Sequence, residues 1–367
     1  MGSTPEQEVN FGKSLMVPCV QELARQPITN IPPRYIRADD DRSIAVFHGA
    51  STPSVPVIDL QRLLHEDPLN SEMVKLHSAC KEWGFFQIVN HGVNAFLLEK
   101  FKTEVGDFFK LPYEEKKKLW HQPDSLEGFG QHFVVSEEQK LDWNYIHIFM
   151  ETELYITVVM SSMLIFTICC RETLEAYSLE AKNLAMTILT QMAKALGMKT
   201  EEMTQLFNDG MQSMRMNYYP PCPQPDIAIG LTPHSDADAL TILYQLNDTE
   251  GLQIRKDGKW IPVKPLEDAF VINIGDIMEI VSNGVYKSIE HRAIVNSAKE
   301  RLSVATFYNP KLDSELGPAS SLINHQNQPV FRRMPLQLYF EEFFARKLNG
   351  KSYLDFVKIE NAESESF

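Results

Sequence analysis

From Met211 onward the chain breaks into short, strand-sized runs, and no other feature limits the fold so sharply. "MRMNYY", "LTILYQ", "LQIRK", "WIPVKP", "AFVINIG", "MEIVSNG", "RAIVNS" and "LSVATFY" follow one another, separated by Pro, Gly, Asp or Asn. Eight such runs with frequent turns predict a β-sandwich or jelly roll. The preceding half reads differently. "VPVIDL" and "FFQIVNHGV" are strand signals, and "SEMVKLHSACKEWG" and "AFLLEKFKTEVGDFFKLP" between and after them have helical spacing. Gly84 is a C-cap candidate, and Pro112 stops the second helix. From Arg171 to Leu196 a stripe of Leu174, Tyr177, Ala181, Leu184, Ile188, Met192 and Leu196 predicts a long helix ended by Gly197. A short helix starts at Thr200.

Composition matters here mainly for what it excludes. A net charge of −14 argues against general nucleic-acid binding. The five cysteines, Cys19, Cys80, Cys169, Cys170 and Cys222, form no C-x-x-C pair and are odd in number, so a disulfide framework is not expected. The opening MGSTPEQEVNFGK lacks the apolar core of a secretory signal. A cytoplasmic, monomeric protein is the default expectation.

The sharpest chemical feature is "LTPHSDADAL". Residues i and i+2 of a strand share a face, so His234 and Asp236 can converge on one cation. H-x-D alone is common by chance. His291, in "SIEHRAIV", offers a third ligand from another strand. Two His and one Asp form the facial triad of non-haem iron(II) oxygenases, and the same set can also serve zinc. Ten residues on, Arg301 and Ser303 share a strand face. A guanidinium fork with one hydroxyl suits a carboxylate, as a dicarboxylate co-substrate chelating the iron would require. Tyr219, in "NYYPPCP", can complete that clamp with its phenol. An isolated R-x-S is otherwise a surface ion pair and a filler; its company with the triad gives it meaning.

"MRMNYYPPCPQPDIAIGLTPHSDADALTIL", "NIGDIMEIVSNGVYKSIEHRAIVN" and "ERLSVATFYNP" together resemble the plant 2-oxoglutarate- and iron(II)-dependent dioxygenases. "VPVIDL" and "ACKEWGFFQIVNHGV" resemble the N-terminal domain of that family. The similarity covers roughly residues 15–143 and 171–355. It is nearest to the senescence-related members and the alkaloid O-demethylases, with the flavonoid oxygenases more distant. The resemblance implies an α+β fold: a double-stranded β-helix (jelly-roll) core, a helical N-terminal domain and flanking helices. The implied division is a lead-in over 1–50, an N-terminal domain over 51–170, linking helices over 171–210, the jelly roll over 211–312, and a C-terminal helix and tail over 313–367.

The resemblance also implies roles. His234, Asp236 and His291 are the expected iron ligands. Arg301 and Ser303, with Tyr219, are the expected clamp for 2-oxoglutarate, and Asn217 stands near the open face of the iron. Phe307 falls where relatives stack an aromatic substrate, and Phe129 and Phe133 are further pocket candidates. The implied cofactors are Fe(II), 2-oxoglutarate and O2, with ascorbate as reductant. The implied reaction hydroxylates or O-demethylates a small aromatic metabolite and releases succinate and CO2. No nucleic acid or membrane partner is implied.

One stretch departs from the pattern. After Trp143 the family continues with an acidic residue, a strand and several prolines; here "NYIHIFMETELYITVVMSSMLIFTICC" runs to "RETLEAYS". Leu154 to Cys170 is seventeen residues without a charge. At ~1.5 Å per residue a helix of that length spans about 26 Å, short of a ~30 Å bilayer core. Ile156, Thr157, Val158 and Val159 are β-formers, so a buried β element is a second reading. The third, which the sharp edges at Trp143 and Arg171 favour, is a substituted segment of matching length. With it comes an alternative function: a chain with an intact metal site and impaired catalysis.

Overall fold

The computed structural model describes residues 14–37, 53–65, 71–121, 127–131, 134–151, 164–344 and 350–359. In chain order, α1 (Val20–Arg25) leads to β1 (Val57–Asp59) and α2 (Leu60–Leu64). Then come α3 (Ser71–Ser78), β2 (Phe85–Val89), α4 (Ala95–Lys110) and α5 (Tyr113–Lys117). β3 (Gly128–Gly130) and β4 (Tyr145–Glu151) precede α6 (Leu164–Leu196) and α7 (Thr200–Phe207). The second half holds β5 (Met211–Tyr219), β6 (Leu231–His234), β7 (Leu240–Gln245), β8 (Leu252–Lys256), β9 (Lys259–Pro262) and β10 (Phe270–Ile274). α8 (Asp276–Val281), β11 (His291–Ala293) and β12 (Arg301–Asn309) follow. A small pair, β13 (Glu315–Leu316) and β14 (Met334–Pro335), and the helices α9 (Leu336–Phe344) and α10 (Ser352–Val357) complete the fold.

Two sheets make the core. The larger has the order β1-β2-β10-β7-β12-β5-β4-β3, and the smaller β6-β11-β8-β9. This is the jelly roll with flanking helices that the strand-sized runs predict. The strands of the first half do not stand apart: β2 pairs with β10, and β4 pairs with β5 in register from Tyr145↔Tyr218 to Glu151↔Gln212. α6 lies along α4, and its Tyr177 ring stacks on Phe101 at 4.0 Å between centroids. Tyr177, Ala181, Leu184, Ile188 and Met192 of the predicted stripe are all buried. Gly197 ends the helix at φ +68.

The central strands carry their polar face inward. On β12, alternate residues Arg301, Ser303, Ala305 and Phe307 line the space between the sheets; Arg215, Asn217 and Tyr219 do so from β5. Leu302, Val304 and Tyr308 of β12 pack in the main hydrophobic core. A pattern that ordinarily marks a half-solvated strand here marks a strand facing an interior cleft.

Three expectations are corrected. "MEIVSNG" is not a strand: its first four residues belong to α8, whose six residues are all buried. A short apolar run buried on every side has no periodicity that separates strand from helix. The long helix begins at Leu164, seven residues before the stripe, so the end of "LYITVVMSSMLIFTICC" is helical; residues 152–163 lie outside the described residues. Among the described residues no helix is long and apolar enough to cross a membrane. Third, Asp236 lies beyond the end of β6, in the turn that follows, so it reaches the cleft by a loop and not by strand alternation.

Candidate active site

His234 closes β6 and His291 opens β11, and these residues face each other across the strand pair. Their rings lie 4.3 Å apart between centroids. Asp236 Oδ1 stands 3.4 Å from His234 Nε2 and 3.6 Å from His291 Nε2. One ligand atom from each of the three falls within 4.8 Å of the others, and all three side chains are buried.

Outer contacts fix this geometry. His234 Nδ1 donates to the Thr232 carbonyl at 2.8 Å, and His291 Nδ1 to that of Ile289 at 3.1 Å. A carbonyl only accepts, so each Nδ1 carries the proton and each Nε2 offers its lone pair to the centre. Asp236 Oδ2 accepts from Thr241 Oγ1 (2.6 Å) and Asn273 Nδ2 (2.8 Å), leaving Oδ1 turned inward. His234 Nε2 is buried without a hydrogen-bond partner. Burial pushes the His291 imidazole down to about 4, helped by His234, so it is neutral and ready to ligate. Burial alone would raise the Asp236 carboxyl, but the two imidazoles outweigh it and hold the group well below the carboxylate range. Two imidazoles and a carboxylate converging on a buried point fit a divalent ion with open positions.

Next to this centre lies a buried cation. Arg301 Nη1 reaches Ser303 Oγ at 3.3 Å, Nη2 reaches Gln245 Oε1 at 3.1 Å, and Nε has no partner. The guanidinium lies 5.2 Å from the centre of the Tyr219 ring. No carboxylate pairs with it among the described residues. A buried guanidinium served only by neutral partners is set to receive an anion. Asn217 Nδ2 sits 3.4 Å from Ser303 Oγ, and its Oδ1 is unpartnered. Gly251 makes room for the clamp: a Cβ there would lie 2.8 Å from Arg301 Cδ and 2.9 Å from the Ile294 carbonyl.

A cavity of about 110 Å³ opens on the other side of the centre, lined by His234, Asp236, Phe307, Phe340, Phe343 and Phe344 among others. Arg215, Asp236 and Phe307 also line the smaller space at Arg301, so the two spaces share a wall. The structure thus brings the triad, Arg301, Ser303, Tyr219, Asn217 and Phe307 to one cleft. Phe129 is a correction: it is fully buried, packed edge-on to Tyr145 at 4.4 Å and near Phe108, and lines neither space. β3 is the outermost strand of the large sheet, and this side chain fills the helix-covered face. Phe133 lies outside the described residues.

Sequence reasoning missed Thr241, Asn273 and Gln245, which hold the central groups. It also missed Arg215, Asp238 and Asn309 in the pocket wall. Thr241 and Gln245 sit on β7 at the i and i+4 positions of one face, a signal that the alternation in "LTILYQ" does carry. The aromatic residues of α9 come from "QLYFEEFF", where nothing local points to the cleft.

Comparison with known proteins agrees with this geometry. Residues 210–310 match the model of the 2OG-Fe(II) oxygenase superfamily. Residues 55–154 match that of the N-terminal domain of non-haem dioxygenases in morphine synthesis. Protein SRG1 of Arabidopsis thaliana is 52% identical over 351 residues, covering 94% of this chain and 97% of the relative. The oxoglutarate-dependent flavonoid 7-O-demethylase 1 of Ocimum basilicum is 50% identical, covering 96% and 93%. Codeine O-demethylase of Papaver somniferum is 48% identical, covering 96% and 98%. Among solved structures, JOX2 in complex with 2OG, Fe and JA superposes with a TM-score of 0.83 at 35% identity, covering 95% of this chain and 99% of that one.

Proposed function

The chain belongs to the 2OG-Fe(II) oxygenase superfamily and is a 2-oxoglutarate-dependent dioxygenase, and from that premise we propose that it hydroxylates or O-demethylates a small aromatic specialised metabolite. The observation that carries this reading is the aromatic pocket, walled by Phe307, Phe340, Phe343 and Phe344 and continuous with the His/Asp/His centre. A concave site of mostly apolar walls with a few polar groups suits a flat organic molecule.

In this reading His234, Asp236 and His291 hold iron(II). The bound iron, with 2-oxoglutarate and O2, supplies the oxidising power. Arg301 and Ser303 hold the distal carboxylate of 2-oxoglutarate, with the Tyr219 ring against the guanidinium, so the co-substrate enters in one orientation. Asn217 presents its free Oδ1 beside Ser303. Phe307 packs against the substrate ring, and the surrounding aromatic walls keep water from the reacting carbon. For a methyl ether the sum balances as ether, O2 and 2-oxoglutarate giving phenol, formaldehyde, succinate and CO2.

The competing reading, an intact centre with impaired turnover, rests on the unusual content of residues 144–170. The continuous pairing of β4 with β5 supports an active enzyme, because Ile148 of β4 contributes to the pocket wall. The deciding test loads the full chain with iron(II) and 2-oxoglutarate, adds ascorbate, and admits air with a panel of aromatic methyl ethers. Substrate-dependent succinate with stoichiometric formaldehyde is expected for at least one ether. Succinate with a hydroxylated product and no formaldehyde would select hydroxylation. Loading without succinate across the panel would favour the impaired chain.

A further inference from the structure

A second, larger cavity lies on the opposite face of the strands that carry the clamp. It measures about 470 Å³ and is walled by α1, α4 and the ends of β5, β7 and β12. Tyr218 and Leu302, partners across β5 and β12, face it. Their neighbours Asn217, Tyr219, Arg301 and Ser303 face the cleft of the centre. Successive residues of a strand point to opposite faces, so the sheet itself separates this cavity from the clamp, and both can be occupied at once.

Charge, floor and room suit this cavity to an organic anion. Among the described residues its wall carries Arg25, Lys102 and Lys110 against one carboxylate, Glu300, which accepts from the Tyr218 hydroxyl at 2.6 Å. The three cations pair with Glu22, Glu99 and Asp107, each one helical turn away. Such solvent-facing pairs contribute little and leave the cations able to turn to a ligand. Behind the wall stands Lys116, fully buried. Its ammonium donates to the Phe109 carbonyl at 2.9 Å and to Oε1 of Gln21, a wall residue, and no carboxylate pairs with it among the described residues. Burial lowers it to about 8, so it stays charged at neutral pH. The floor is apolar: Phe109 and Tyr218 stack at 5.1 Å between centroids, with Leu246 and Leu302 beside them. Gly106 supplies the room. It lies inside α4, opens on the cavity, and has nothing within 4 Å of the place its Cβ would take. A glycine within a helix destabilises it relative to alanine, and here no neighbour demands one. An inorganic anion would use the cations and leave the floor bare; a neutral arene would do the reverse.

We propose that this cavity is a second ligand site, distinct from the clamp and the substrate pocket, that binds a small aromatic carboxylate. The ring lies on the Phe109 and Tyr218 floor, and the carboxylate is held among Arg25, Lys102 and Lys110 by charge-assisted hydrogen bonds. The site does not depend on which metabolite the centre oxidises.

Two probes of one shape test it: 2-naphthoate, anionic at neutral pH, and the neutral 2-naphthamide. Each is titrated calorimetrically under nitrogen into the full chain with saturating iron(II) and 2-oxoglutarate, which keeps the clamp filled. The acid is expected to bind at least about tenfold more tightly than the amide, and the ratio to fall towards one when Arg25→Gln, Lys102→Gln and Lys110→Gln are combined. Gly106→Leu fills the cavity and should abolish binding of both probes while 2-oxoglutarate loads normally. No binding of the acid by the wild type, equal binding of the two probes, or an undiminished ratio in the charge variant would overturn the proposal. So would undiminished acid binding by a normally loading Gly106→Leu, which would put the probe in the substrate pocket instead. If Gly106→Leu does not load 2-oxoglutarate, the charge variant alone decides, because its substitutions lie at the surface and leave the fold intact.

Discussion

Two residues show how far side-chain chemistry could be foreseen. Arg301 was legible because a guanidinium two residues from a hydroxyl on one strand face has few structural uses beside a metal triad. Its neighbours Gln245 and Ser303 hold it without neutralising it. Arg301→Lys keeps the charge and loses the fork, so the KM for 2-oxoglutarate should rise about 10- to 100-fold, with a smaller change in kcat. Succinate release at varied 2-oxoglutarate measures this, and an unchanged KM would remove Arg301 from the clamp. His147 was not legible, since nothing in "NYIHIFM" marks a histidine as buried. It is fully buried beside Phe108 and Phe149, and neither ring nitrogen has a partner. Burial pushes it from 6.5 down to about 3. Between those values the unfolded chain binds a proton that the folded chain refuses. Stability is therefore whole above about pH 6.5 and falls as the pH drops towards 3, by up to ~1.4 kcal/mol per unit. His147→Phe removes two unsatisfied polar atoms and this titration. The variant should melt a few degrees higher at pH 7, and its advantage should widen on acidification to pH 5. Circular dichroism melts at both pH values check this; a constant difference would acquit His147.

At the scale of elements, periodicity was informative wherever the two faces of an element met different surroundings, core and solvent for α6, core and interior cleft for β12 and β7. The stripe on α6 and the alternation on β12 and β7 were readable for that reason. It failed at α8, where every face is buried, and this element supports the centre. The Asp276 N–H donates to the Asp236 carbonyl at 2.8 Å, and the Ile277 N–H to that of Asp238 at 3.3 Å. The first turn of α8 thus uses its free N–H groups to hold the ligand loop. Gly275, just before it, permits the approach: a Cβ would lie 1.8 Å from the Asp238 carbonyl oxygen and 3.1 Å from that of Asp236. Both are backbone atoms and cannot swing aside. Gly275→Ala should displace the loop, lower Tm by several degrees and weaken iron(II) binding by tenfold or more. Gly106→Ala is the contrast, because nothing lies within 4 Å of its Cβ position in α4. It should stabilise by roughly 0.5–1 kcal/mol and leave metal binding alone. Equal effects from the two substitutions would contradict this account of α8.

For the whole molecule, the sequence suggests a boundary near residue 170, and the sheet runs across it. β1 and β2 are hydrogen-bonded onto β10 at one end of the eight-stranded sheet, and β4 and β3 extend it beyond β5 at the other. The main core includes Ile58 and Phe101 from the first half with Ile242 and Val304 from the second. Neither half can expose its part of that surface without stripping the other, so unfolding should be cooperative across both. The four tryptophans sample the fold widely: Trp83 and Trp120 before β3, Trp143 before β4, and Trp260 on β9 of the small sheet. Tryptophan fluorescence and far-UV circular dichroism should therefore give coincident thermal transitions. Iron(II) with 2-oxoglutarate at about a hundred times its Kd stabilises by ~2.7 kcal/mol if it binds only the folded chain. That linkage should move the entire transition upward, including the signal from the first half. Two resolved transitions, only one of which responds to the ligands, would mean that the halves unfold separately. The strands shared across residue 170 would then contribute too little to couple the first half to the metal centre.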